Sequence, residues 1–103
     1  MIEYRDINGN SISPEEWGKL IENIEERIIG RDEVNGILVS TVFVGFPQLR
    51  WTDQGFLFDG YFETMLFNKD GSTTHSWRYE TLEEAQDNHL KIVEELKLES
   101  SHD

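Results

Sequence analysis

The chain has 103 residues, 37% of them hydrophobic, with 21 Asp and Glu against 9 Lys and Arg, a formal charge of −12. At ~100–150 residues per domain this length supports one domain, 1–103, and zero cysteines exclude a disulfide framework, a thiolate zinc site and a cysteine nucleophile. The acidity argues against ordinary binding to a phosphate backbone, and no apolar run approaches the ~18–20 residues that span a bilayer.

Met1 to Asp6 shows neither a basic nor an apolar leader segment, so a cytoplasmic protein is expected. Ile2 to Ile7 can add a short edge strand closed by Asn8-Gly9. Ser13-Pro14-Glu15-Glu16 then forms a capping box with proline at the first helical position. Trp17, Leu20, Ile21, Ile24 and Ile28 repeat as one apolar stripe, which predicts a helix over 14–29 with Gly30 just past its end. Ile37 to Gly45 reads as a strand too continuously apolar to have one wet face. The ten-residue connection Phe46 to Gly55 exceeds the usual hairpin loop of ~2–5 residues. Phe56 to Phe67 is a second strand, bulged at Gly60, and Asn68-Lys69-Asp70-Gly71 turns the chain into a third, Thr73 to Tyr79. Thr81-Leu82-Glu83-Glu84 opens a second helix whose stripe is Leu82, Ala85, His89, Ile92, Val93 and Leu96; it runs to about 97, and 98–103 reads as a frayed tail. The elements compose a β–α–β–β–β–α order. This is an α+β domain, an antiparallel sheet of three to four strands with two amphipathic helices on one face.

Charge is concentrated on the helices. Residues 13–33 carry seven acids and three bases, and residues 80–103 carry eight acids and two lysines. Ten of the twelve excess charges therefore fall in two segments, while the strands are nearly neutral. Glu22, Glu26, Glu94 and Glu95 lie on outward helix faces that serve either for solvation or as rows of carboxylates mimicking a phosphate backbone in a basic groove.

His89 interrupts an apolar stripe, so it is either a core histidine bonded to a strand hydroxyl or a ligand contact. Glu63 shares its strand face with Tyr61 and Met65; it pairs across strands with Arg78 or belongs to a site. Ser40 or Thr41 can be drawn as a nucleophile with His89, yet no nucleophile elbow or oxyanion glycine pair surrounds them, and no catalytic residue is assigned. His75 and His102 share no ligand spacing with His89, so no metal is assigned, and no cofactor is implied. Leu49, Arg50 and Trp51 in the long connection are protein-binding candidates, Arg and Trp being types enriched at binding hot spots. Trp77 and Tyr79 alternate on one strand face and with Tyr61 make an aromatic surface. If both helices cover the other face, this one needs a ligand, the long loop or a second copy over it, giving a homo-oligomer through the open sheet face.

Three segments carry a resemblance: Val39-Ser40-Thr41-Val42-Phe43-Val44-Gly45, Phe62-Glu63-Thr64-Met65-Leu66-Phe67, and Arg78-Tyr79-Glu80-Thr81-Leu82-Glu83-Glu84-Ala85 with His89. Over roughly 36–93 the chain resembles a group of small proteins encoded in tailed-phage genomes and prophages. Relatives tend to have glycine where this chain has Asn88, and a Gly/His-rich loop where it has Phe46 to Gly55. The resemblance implies a bacterial host and the setting of small acidic inhibitors of host enzymes or antiviral defence. Ser40, Thr41, Glu63, Thr64, Tyr79 and His89 recur in the resembling segments.

The expected function is that of a phage-type accessory protein acting by binding, an inhibitor of a host defence or nucleic-acid-handling protein. The alternative is a binder or sponge for a small anionic, nucleotide-like ligand, using Ser40, Thr41, Glu63, Thr64, Trp77, Arg78, Tyr79 and His89. For that ligand Arg50, Lys69 and Arg78 leave room on the sheet. A small hydrolase is third.

Overall fold

The computed structural model describes residues 4–45, 49–58 and 60–100, with side chains described outside 49–52, 56–58 and 100. In chain order the elements are α1 (Pro14–Glu22), α2 (Ile24–Arg27), β1 (Ile28–Val34), β2 (Ile37–Phe43), β3 (Leu49–Thr52), β4 (Gly55–Phe58), β5 (Phe62–Phe67), β6 (Thr73–Tyr79) and α3 (Leu82–Ser100). Strands β1-β2-β5-β6 form a four-stranded antiparallel sheet, and β3–β4 a separate two-stranded one. The α+β arrangement stands as expected.

Both capping boxes form. The Ser13 hydroxyl accepts from Glu16 N at 3.1 Å and Thr81 accepts from Glu84 N at 3.1 Å, each satisfying an amide with no partner inside the helix. The first helix is shorter than the 14–29 its stripe predicts. At Asn23 the backbone leaves helical geometry (φ −90, ψ 88), and the Asn23 side chain caps the single turn of α2 by accepting from Glu26 N at 3.3 Å. Ile24, counted in the stripe, is 69% exposed. Ile28 and Gly30 belong to β1, so Gly30 is no helix terminator. Arg27 secures the junction by donating to Ile21 O at 2.9 Å and Phe43 O at 3.0 Å.

What pulls Ile28 to Val34 into the sheet is the turn that follows. Asn35 (φ 55) and Gly36 (φ 82) are both left-handed, the two-residue hairpin geometry whose twist matches that of the flanking strands. The β5–β6 turn closes as expected, with Asn68 N donating to Ser72 O at 2.8 Å and Gly71 at φ 87.

The expected strand 56–67 is two strands. At Gly60 a Cβ would lie 1.9 Å from Tyr79 O, so the chain crosses β6 too closely for any side chain. The expected long loop contains the β3–β4 hairpin, while Phe46 to Gln48 and the start of the N-terminal strand lie outside the described residues. From that N-terminal strand a single bridge, Arg5 to Ser11, is described. The base of the hairpin insertion is a neck: Val44 N and Gly45 N both donate to Tyr61 O, at 2.8 and 3.2 Å.

Residues paired across antiparallel strands share a face, which fixes the two sides of the sheet. One side carries Gly30, Asp32 and Val34, then Val39, Thr41 and Phe43, then Phe62, Thr64 and Leu66, then His75, Trp77 and Tyr79. Helix α3 packs on it, and Leu20 and Ile21 of α1 join the cluster of Phe43, Phe62, Tyr79 and Ala85 at one end. The other side holds Leu38, Ser40, Val42, Glu63, Met65 and Arg78, all half-buried. The expected aromatic row is thus on the opposite face from the one assigned to it. Trp77 and Tyr79 share the helix-covered side, where Tyr79 is buried.

Two glycines separate helix propensity from turn geometry. Gly18, inside α1, has nothing within 4 Å of a Cβ, so Gly18→Ala is expected to raise stability by about 0.5–1 kcal/mol. Gly36→Ala puts a side chain at positive φ and is expected to lower it by about 1–2 kcal/mol. Urea denaturation of both variants checks the pair.

Candidate functional site

A row of polar side chains crosses the seam between the sheet and α3. His89 stands on the buried face of α3 with 4% exposure, and its ring lies directly on Gly30, where a Cβ would come within 2.7 Å of Cδ2 and Nε2. His89 Nε2 is 2.7 Å from Asp32 Oδ2, and Nδ1 is 2.7 Å from Thr41 Oγ1. Thr41 Oγ1 is in turn 2.5 Å from Thr64 Oγ1. Thr41 and Thr64 have no exposed surface, whereas the Asp32 side chain is 53% exposed. Beyond Thr64 lies the Tyr79 hydroxyl, buried without a well-aligned partner among the described residues. Burial pushes its pKa up, partly opposed by the nearby Thr64 hydroxyl.

The partners assign the tautomer. The Asp32 carboxylate can only accept, so in the neutral form of His89 the proton lies on Nε2 and is donated there. Nδ1 then accepts from Thr41, whose oxygen accepts from Thr64. Every donor points toward Asp32, an alignment in which each bond polarises the next. Protonating His89 turns Nδ1 into a donor and obliges both hydroxyls to reverse. The constellation has the order of an acid–base triad, but its hydroxyls are sealed from any substrate.

The ligand candidates divide between the two faces. Thr41, Thr64, Tyr79 and His89 come together in this buried row. Ser40, Glu63 and Arg78 lie on the other side, where Arg78 Nε is 3.2 Å from Glu63 Oε2 and a second guanidinium nitrogen donates to Gly60 O at 3.2 Å. Trp77 is on the helix side but 38% exposed, stacked on His75 at 5.7 Å between centroids. The side chains of Leu49, Arg50 and Trp51 lie outside the described residues, though their backbone forms β3. Glu22, Glu26, Glu94 and Glu95 are all exposed on the helices. Among the described residues no group of acidic and histidine side chains is arranged to hold a metal ion, and no helix is long and apolar enough to cross a membrane.

Two residues of the row, Gly30 and Asp32, escape the sequence reading because they fall in a segment that reads as helix and its end. The pointer to them is Asn35-Gly36, flanked by Ile28 to Val34 and Ile37 to Phe43. No protein-family model, curated protein or solved structure matches this chain.

Outside this row, Arg31 and Lys69 flank an open depression of about 590 Å³ floored by Leu38 and Phe67, with Glu33 at its rim.

Removing parts of the row is expected to weaken the fold. Thr41→Val leaves His89 Nδ1 without its donor, and Gly30→Ala forces the ring off the strand; each is expected to lower stability by about 1–3 kcal/mol in urea denaturation. Tyr79 gives a pH signature. Its raised pKa keeps the proton on the native state after the unfolded chain has lost it, so this contribution is present at neutral pH and falls as pH rises above the ordinary tyrosine value near 10. Tyr79→Phe is expected to flatten that alkaline decline, measured by thermal melts across pH 9–11 (roughly the tyrosine range).

Proposed function

We propose that this protein works by binding, as a small acidic accessory protein of the phage type that engages a basic surface on a host defence or nucleic-acid-handling protein. The observation that carries this reading is the outer face of α3. Glu83, Asp87, Leu90, Glu94 and Leu98 follow one another at helical spacing, all exposed, on the side away from the sheet. Leu90 is 63% and Leu98 60% exposed, and the fold asks for neither. Carboxylates around apolar side chains match a partner with a basic rim and an apolar recess, and the excess charge of the chain would steer the encounter. The burial of Thr41 and Thr64 favours binding over nucleophilic catalysis. The phage resemblance supplies the setting.

A small amphipathic anion is a second reading, favoured by Arg31 and Lys69, for which no ion pair is found among the described residues. Their depression would take a phosphate or carboxylate beside a planar ring.

Affinity capture from a bacterial lysate with wild type and with Glu94→Lys/Glu95→Lys separates the two. For the first reading, the wild type is expected to retain a basic protein that the reversed variant and raised salt both release. A retained set indifferent to both overturns it. For the second, a thermal shift with a nucleotide panel is expected to vanish in Lys69→Ala and to survive reversal at Glu94 and Glu95.

A further inference from the structure

The two edges of the main sheet are built differently. β1 presents Arg31, Asp32 and Glu33, three consecutive exposed charges, and is irregular between Ile28 and Gly30. Charges and bulges of this kind block edge-to-edge pairing. β6 lacks such a run of charges, and its own irregularity against β5 falls at Thr74, near the start of the strand. Thr73, Thr74, His75, Ser76 and Trp77 are all exposed, the strand carries no acid, and its only formal charge is Arg78, already paired with Glu63. Threonine and tryptophan are good strand formers, and no described strand lies on its outer side.

Nor does the helix finish covering this edge. α3 sits mainly over β1 and β2, which leaves the stacked His75–Trp77 pair open on the helix side. A half-exposed tryptophan stacked on an exposed histidine, beside a strand edge that pairs with no other described strand, offers both main-chain hydrogen bonds and apolar area to one incoming strand.

We propose that β6 is a self-recognition strand, two copies pairing it antiparallel about Ser76 to join their sheets into one of eight strands. Symmetry selects this occupant. About a dyad at Ser76, His75 of each copy faces Trp77 of the other, so the two stacked pairs meet as one four-ring cluster on the helix side. Ser76 faces its own counterpart, and no like charges stand opposite one another. The excess negative charge of the two chains lies outside the paired strands, and α3 packs most on β1 and β2, the strands farthest from the dyad. An extended peptide from another protein would use the same edge but would not supply the matching ring pair. The proposal is independent of the acidic face of α3.

Analytical ultracentrifugation of the full chain, from micromolar to millimolar concentration, tests it. The wild type is expected to pass from monomer to dimer. Ser76→Lys and Ser76→Glu, on an exposed side chain, each place like charges across the dyad and are expected to weaken the dimer about fivefold or more. An equimolar mixture of the two is expected to recover it as a heterodimer, which a general loss of folding would not allow. Trp77→Ala is expected to weaken self-association with a circular dichroism spectrum like that of the wild type. A wild type that stays monomeric throughout, or a dimer indifferent to charge at position 76, overturns the proposal. So does an edge that binds extended peptides while the chain remains monomeric.

Discussion

The imidazole of His89, pressed against the bare backbone of Gly30, is the contact on which the rest of the sheet depends. A buried ring nitrogen without a partner is costly, so both nitrogens must be met at once, one by β1 through Asp32 and one by β2 through Thr41. Thr41 in turn engages Thr64 of β5, and the row ends beside Tyr79 of β6. It runs between two apolar clusters, one around Phe43, Phe62, Tyr79 and Ala85, the other around Val34, Val39, Leu66 and Val93. Apolar packing tolerates small adjustments, but slipping one strand by a single residue would carry Thr41 or Thr64 to the far side of the sheet. The polar row therefore specifies register where the apolar clusters supply most of the burial.

Charge and burial are arranged along the same axis. The carboxylates stand on the outer sides of the helices, and Glu15, Glu16, Glu83 and Glu84 occupy first turns, where the helix dipole favours them. The reverse side of the sheet is half-buried and nearly neutral, with Glu63 and Arg78 compensating each other. A polyanionic chain thus keeps its sheet free of repulsion.

Local chemistry was legible wherever it decided the structure. Both capping boxes, the α3 stripe with His89 inside it, and the β5–β6 turn follow from spacing alone. Thr41 and Thr64 stood among the ligand-binding candidates, though which of the candidate hydroxyls meets His89 needed the registers. What sequence concealed was the end of α1, because Ile24 and Ile28 continue a helical repeat that tertiary pairing overrides. With β1 unread, Asp32 and Gly30 had no address. The faces of the sheet were likewise hidden, since alternation shows that Trp77 and Tyr79 agree but not which side the helix takes.

The neck beneath the hairpin insertion has its own consequence for how such a chain can diversify. Val44, Gly45 and Tyr61 close the β2–β5 connection with backbone hydrogen bonds alone, so the identity of what lies between is irrelevant to the closure. Loop-closure entropy grows slowly, by roughly 0.6 kcal/mol for each doubling of length. A different insert can therefore be exchanged between Gly45 and Gly60 with little strain on the frame, while the polar row and its strands stay constant. The domain is in this sense a socket, and the segment above the neck is the one it can most readily replace.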